Sequence, residues 1–348
     1  MIDLIPNEDI NEKDDNNENV IEYSEYPKSI MFSKAILAIF YIAIVFKSVQ
    51  VKIDKKEQEK YYNHFFCFNA MGKLENEYAR EVIDYYKDLG VDKFYIADNN
   101  DKNAERFSDI FQKEIFDGTM DVIDITGRKK DQTQLYGEMY ENFKNECRWQ
   151  SFFDFDEFLV LTENGKNINI PQYLSNPKFE KCDVILINWL MYSDNGLIRY
   201  ENRPMNVRFT DPLYNSDANR FVKSIIKGKL RWNPWDFNVT PHRPQHHLRT
   251  CDAHGDRLRT FNDVLKPPKL DGIYIKHFGI RSAEEYIAKI KRGHPGDLVL
   301  YFDERIDNFF HFNNVTEEKV RFFEKELNMT FPNIIIYLKI IKINKSYC

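Results

Sequence analysis

Residues 148–161 read RWQSFFDFDEFLVL, and the middle of this stretch sets acids between aromatics: Phe153, Asp154, Phe155, Asp156, Glu157, Phe158. In extended chain alternate residues share a side. Asp154 and Asp156 then point one way while Phe153 and Phe155 point into a core. Two carboxylates on one face at a strand end invite a divalent cation, and oxygen donors suit Mg2+ or Mn2+, which keep positions open for substrate phosphates. A cation held there neutralises charge gathering on a departing phosphate group. A solvated strand end presents the same acids, so the surrounding pattern has to decide between the two.

Upstream of that stretch, strand-like and helix-like segments alternate. HFFCFNA (64–70) reads as a buried strand, and residues 75–89 as a helix with Tyr78, Val82, Ile83, Tyr86 and Leu89 at helical spacing, stopped by Gly90. KFYIADNN (93–100) is a strand running into a polar loop, 104–116 a second helix, DVIDI (121–125) a third strand, and 131–147 a third helix. Residues 148–161 then form a fourth strand. Such alternation implies right-handed crossovers and an α/β fold whose mainly parallel central sheet carries helices on both faces. Ligands bind such sheets at the carboxyl ends of the strands. Three polar clusters fall there: 73–77 with Glu75, 98–100 (Asp98, Asn99, Asn100), and 154–157.

The second half is less regular. CDVILINWLMY (182–192) and IYIKHF (273–278) read as strands, and Ser282 with Glu285 three residues on forms a capping box that opens a helix to residue 292. The final segment, 316–348, reads as helix followed by an apolar run. The net charge is −6, but residues 1–34 hold nine acids against three lysines, so the rest of the chain is neutral at 46 to 46. A body without a basic stripe argues against nucleic-acid binding. Residues 1–29 are Asn, Asp and Glu rich and read as a disordered tail. The apolar run AILAIFYIAIVF (35–46) rises about 18 Å as a helix, short of the roughly 30 Å hydrocarbon core. Residues 30–51 span it if Lys34 and Lys47 snorkel. That segment is a candidate anchor, so the expected location is membrane-associated or cytoplasmic, with a charged linker at 52–63 and the main domain at 64–315. The five cysteines are widely spaced with no CxxC pair, and read as ordinary reduced or buried thiols.

Four blocks in fixed order make the reading more specific: VDKFYIADNNDKNAERFSDI (91–110), QTQLYGEMYENFKNECRWQSFFDFDEFLVL (132–161), NWLMYSDNGLIRYENRP (188–204) and IYIKHFGIRSAEEYIAKIKRG (273–293). Together they resemble the family 2-like and family 92-like glycosyltransferases of surface-polysaccharide loci and related eukaryotic proteins. The resemblance covers roughly residues 64 to 295. It implies a GT-A fold, a nucleotide-sugar donor, a divalent metal (Mn2+ or Mg2+) and transfer to a carbohydrate hydroxyl acceptor. By position it also implies that Glu75 and Asp98 meet the base and ribose, that Gln132 and Tyr136 line the donor site, and that Asp154 and Asp156 hold ribose and metal-diphosphate. His277 becomes a further metal ligand, Lys223 with Ser224 matches a Lys-Ser pair, and His242 matches a Pro-His pair. The chain departs from the family pattern at Leu74, where an Asn is usual, and at Ile280-Arg281-Ser282, where Thr-Lys-Ser/Thr is usual. Asp194, in YSDNG after a strand, is the candidate general base for attack by the acceptor hydroxyl. Two alternatives stay open: a metal-dependent nucleotidyltransferase, although the chain has no glycine-rich phosphate loop, and a non-catalytic glycan-binding or scaffold protein.

Overall fold

The computed structural model describes residues 40–45, 47, 62–128, 132–230, 242, 248–259, 264–292 and 302–328. The chain divides into two units, residues 1–60 and 61–348. In the first, the described residues are helical and exposed. Among the described residues no helix is long and apolar enough to cross a membrane. Most of the candidate anchor at 30–51 lies outside them.

The second unit is built on ten strands among its described residues: β1 (His64–Gly72), β2 (Lys93–Asp98), β3 (Met120–Asp124), β4 (Cys147–Phe152), β5 (Glu157–Glu163), β6 (Lys166–Asn167), β7 (Val184–Met191), β8 (Val222–Lys227), β9 (Thr250–Asp252) and β10 (Ile273–His277). They lie in the order β3-β2-β1-β4-β8-β7-β10-β5-β6, with β9 beside β7. β1 pairs in parallel with β2 and β4, β2 with β3, and β7 with β9 and β10. β8 runs antiparallel between β4 and β7, and β5 runs antiparallel to β10. The sheet is therefore mixed and mainly parallel. Every residue of β2 is buried, as expected of a strand covered on both faces.

The helices form where the apolar spacing placed them. Asn76–Asp88 buries Tyr78, Ala79, Val82, Ile83 and Tyr86 on β1 and β2, and the Tyr86 hydroxyl donates to the carbonyl of Glu157 at 2.9 Å. Gln132–Phe143 covers the sheet with Leu135, Tyr136, Met139 and Tyr140. Ala283–Arg292 starts on the expected capping box, the Ser282 hydroxyl donating to Glu285 at 2.5 Å and accepting from the Glu285 amide at 3.4 Å. Glu317–Leu327 packs with Phe302–Phe312 and the 283–292 helix through Tyr286, Phe309 and Phe323. That helix is thus part of one core with residues the sequence reading had assigned to the main domain.

Three expectations are corrected. The single strand at 148–161 is two strands, β4 and β5, broken by a turn at 153–156 in which the Glu157 amide donates to the Asp154 carbonyl at 3.1 Å. The turn is needed because β4 pairs with β1 and β8 while β5 pairs with β10, on the far side of β7. Residues 104–116 form two short helices, Phe107–Ile110 and Gln112–Phe116, because Asp98 captures the Phe107 amide and fixes the start of the first. Four of the five cysteines are not thiols: Cys67 bonds Cys147 and Cys182 bonds Cys251. Cys67 and Cys147 lie on the adjacent strands β1 and β4, and Cys182 stands at the entrance to β7, beside Cys251 on β9. Separations of 80 and 69 residues hid both pairs, since strand adjacency in a parallel sheet is set by crossovers.

Peptide mapping without reductant is expected to recover Cys67–Cys147 and Cys182–Cys251 as linked pairs. Replacing Cys67 by Ala should lower stability by about 2–4 kcal/mol in denaturant titration.

Candidate active site

The acids of the 153–157 turn sit where the sheet changes direction. β4 ends at Phe152, and the two antiparallel strands β5 and β8 both begin on the same edge. An antiparallel strand brings its first residues to its neighbours' carboxyl ends, and so Lys223, near the start of β8, reaches the turn. Its ammonium is buried and lies 2.8 Å from Asp154 Oδ2 and 3.3 Å from Glu157 Oε2. Glu157 Oε2 also accepts the Asp154 amide at 3.0 Å, which closes the turn. The other oxygen of Asp154 faces the 132–143 helix, accepting from the Tyr136 hydroxyl at 3.3 Å and from Gln132 Nε2 at 3.4 Å. Gln132, Tyr136, Asp154 and Lys223 are thus brought together, with Tyr136 and Lys223 buried and Asp154 partly open.

Charge is shared unequally here. Burial opposes ionisation of Asp154, but Lys223 outweighs it and holds that carboxyl below its usual range. Burial pushes Glu157 up to about 8 against the pull of Lys223, with the charge of Asp154 adding to the shift. Glu157 therefore keeps its proton near neutral pH, and Lys223 stays charged.

Asp156 is held from the opposite side. Its Oδ2 lies 3.0 Å from Lys289 and 3.2 Å from Arg281, both delivered by the 283–292 helix and the residues just before it. Burial again opposes ionisation, and Lys289, Arg281 and His277 overcome it, so Asp156 is held well below the carboxylate range. Its Oδ1 faces His277 Nε2 at 3.7 Å. His277 ends β10, packs 4.1 Å from the Trp189 ring, and has a buried Nδ1 with no hydrogen-bond partner among the described residues. Burial pushes its pKa down to about 4, which leaves a neutral imidazole. A neutral ring nitrogen beside an ionised carboxylate oxygen is a donor set that fits a divalent cation. Among the described residues no group of three or more His, Cys, Asp or Glu side chains is placed to hold a metal ion, so further ligands would be oxygens of a substrate or water.

The β1 loop joins the same network. Glu75 accepts from Arg281 Nη1 at 3.0 Å and also binds Arg292, whose Nη1 donates to the Lys73 carbonyl at 2.7 Å. Its oxygens are engaged by guanidiniums rather than open toward a base. Asp98 is fully buried, with Oδ1 accepting from the Asn100 amide and Oδ2 accepting from Arg106 and from the Phe107 amide. Asn100 Oδ1 holds the Leu74 amide at 2.7 Å, and the Asn99 amide donates to the Gly72 carbonyl at 2.9 Å. The 98–100 cluster thus fixes the β1 and β2 loops. Leu74, where the resembled family has Asn, adopts φ 56°, a left-handed conformation that Asn tolerates better than Leu. Asp194 pairs with Lys319 at 2.5 Å and accepts the Gly196 amide at 2.8 Å. None of its contacts reaches the 153–157 turn. His242 Nδ1 lies 2.7 Å from the Val222 carbonyl, and its ring stands edge-on to Trp189.

The model of Glycosyltransferase family 92 matches residues 62–252, which takes in β1 through β9 and both halves of the acidic turn. The chain belongs to glycosyltransferase family 92. A family 92 protein of Arabidopsis thaliana is 31% identical over 188 residues, covering 51% of this chain and 31% of the relative, so the chain spans about a third of the curated relative it matches. Among solved structures, S. aureus TarS aligns over 76% of this chain and 48% of its own, at 13% identity and a TM-score of 0.35. TarS 1-349 in complex with UDP aligns over 47% of this chain and 46% of its own, at 12% identity and a TM-score of 0.27. Similarities this low establish no shared function. Arg281, Lys289 and Arg292 lie beyond the family match, and spacing alone flagged neither Lys289 nor Arg292. Their signal was helical: 285, 289 and 292 share one face.

Replacing Lys223 by Met leaves the partly open Asp154 carboxylate without its cation and should cost about 1–3 kcal/mol in denaturant titration, with part of the loss recovered when Asp154→Asn is added. Leu74→Asn should raise stability by about 1 kcal/mol in the same assay, by relieving the left-handed backbone.

Proposed function

We propose that this family 92 chain is a GT-A type glycosyltransferase that moves a sugar from a nucleotide-sugar donor to a carbohydrate hydroxyl, in glycan or polysaccharide synthesis. One observation carries this reading: acids and cations meet at the carboxyl edge of the sheet, with Asp154 and Asp156 clamped between Lys223 on one side and Arg281 with Lys289 on the other. Each carboxylate keeps its cations oriented. A bound diphosphate would compete for the same ammonium and guanidinium groups, which stabilise charge on the departing nucleoside diphosphate. Asp156 Oδ1 and His277 Nε2 are the atoms that would hold Mn2+ or Mg2+, which when bound adds Lewis-acid neutralisation of the leaving phosphate.

In this scheme Gln132 and Tyr136 hold Asp154 in its rotamer through hydrogen bonds to Oδ1, leaving its partly exposed face for the donor. The acceptor hydroxyl attacks the anomeric carbon as the bond to the diphosphate oxygen breaks, and its proton passes to a base. Asp194 is less suited to take that proton, because its carboxylate is committed to Lys319 and Gly196. The two disulfides support folding in an oxidising compartment, where the acceptors would be glycans of that compartment.

A donor-hydrolysis screen tests the reading: the full chain is incubated with a panel of nucleotide sugars, with and without Mn2+, beside Asp156→Ala. Metal-stimulated release of one nucleoside diphosphate, reduced at least a hundredfold by the substitution, is the expected outcome, in line with the loss of a main electrostatic group at roughly 10²–10³. No release from any donor, together with no Mn2+-dependent nucleotide binding, would overturn the proposal in favour of a non-catalytic glycan binder.

A further inference from the structure

We propose that a cavity of about 510 Å³ in the loops that follow β7, the strand beside β10, is an acceptor subsite that takes a neutral glycan. The proposal deepens the glycosyltransferase reading and rests on it. β7 and β10 are parallel, with Met191 opposite His277, and the Tyr192 amide donates to the His277 carbonyl at 3.2 Å. The chain leaving β7 passes within one residue into the loop 193–196, which forms one wall of the cavity. The cavity therefore lies beyond the carboxyl end of β7, next to β10 and its His277, and Asp156 precedes β5 on the other side of β10.

The wall is pre-organised. The Asp194 amide donates to Asn313 Oδ1 at 2.8 Å, and its carboxylate joins Gly196 to Lys319, so the loop is tied to the C-terminal helices. Ser193 donates to Asp211 Oδ2 at 3.1 Å, which ties the second wall to the first. A site that needs no rearrangement loses less affinity to ordering.

Its chemistry discriminates. Asp211, His311 and Asn314 present exposed polar side chains, Asn195 is engaged by the Thr210 and Asp211 amides, and Leu213 with Phe312 supply apolar surface. A sugar offers both kinds of face: hydroxyls at its rim and C–H groups across its ring. Among the described residues no lysine or arginine lines the cavity. Lys319, beneath the loop, is buried and committed to Asp194. A phosphorylated or carboxylated ligand would meet Asp211 with no compensating cation among the described lining residues, whereas Arg281, Lys289 and Arg292 all lie with Asp156 and Glu75. Charge thus divides the carboxyl edge into a half suited to a diphosphate and a half suited to a neutral polyol. The volume falls within the roughly 300–1,000 Å³ of small-molecule sites.

Saturation-transfer NMR on the full chain, with methyl glycosides of the common neutral hexoses and N-acetylhexosamines and with a hexose 6-phosphate as the anionic control, tests the assignment. At least one neutral glycoside is expected to bind, with the phosphate ester weaker. Asp211→Ala should weaken it by about tenfold, the effect of losing a hydrogen bond to a charged acceptor, and Leu213→Arg should abolish it. Thermal unfolding of both variants reports whether the fold is intact; an unfolded variant is replaced by Asn314→Ala or His311→Ala. No transfer to any neutral glycoside, or affinities that intact variants leave unchanged, would overturn the assignment. Cavity-dependent glycoside binding alongside a silent donor screen would instead sink the transferase reading and leave a glycan site.

Discussion

The buried ammonium of Lys223 allows three acids, Asp154, Asp156 and Glu157, to exist within one four-residue turn. Asp154 and Glu157 lie within 3.3 Å of it, with Asp156 two residues from Asp154. Without a cation, ionising Asp154 in this setting would be opposed by burial and by its neighbours. With it, Asp154 stays charged, Glu157 keeps its proton, and the amide of Asp154 has a carboxyl to bind. The register of β8 delivers Lys223, and that register depends on the reversal of strand direction between β4 and β7. Sheet topology and site electrostatics are therefore one constraint.

A second set of cations completes the arrangement from across the edge. Arg281 sits at φ 60°, just before the 283–292 helix, and that backbone conformation lets its guanidinium span Glu75 and Asp156. Lys289 and Arg292 follow along the helix to the same two acids. The β1 loop, the 153–157 turn and this helix are separated by as many as 217 residues, and their ion pairs hold them together. Glu285, one turn earlier, performs the same service away from the site by binding Arg208, Ser282 and Tyr78. Buried pairs of this kind add little net stability, but a carboxylate left without its partner is expensive. They fix geometry more than they add energy.

Much of this was legible in the chain itself. Apolar periodicity located β1, β2, β7, β10 and the 76–88 helix, and the Ser282-Glu285 spacing located the start of the 283–292 helix, because local patterns report local hydrogen bonding and burial. The resemblance set Gln132, Tyr136 and Asp154 at one site and Lys223 only in a Lys-Ser pair; that the Lys223 ammonium sits on Asp154 came from the structure. What the chain did not reveal was longer in range: the break in FDFDEF, which arises because β4 and β5 join different neighbours; the disulfides, which need two crossovers to bring their sulfurs together; and the commitment of Asp98 and Glu75 to arginines.

By itself, then, the sequence determined the α/β alternation, the core faces of the helices and the presence of carboxylates near a strand end, since each depends on residues within a few turns of one another. Only the tertiary structure decided which cations those carboxylates face, that His277 is neutral beside Asp156, and that a cavity with no cation among its described lining residues lies one strand away. Those properties are sums over side chains brought from distant parts of the chain, and the electrostatic energy of a buried group is set by the charges packed around it rather than by its neighbours in sequence.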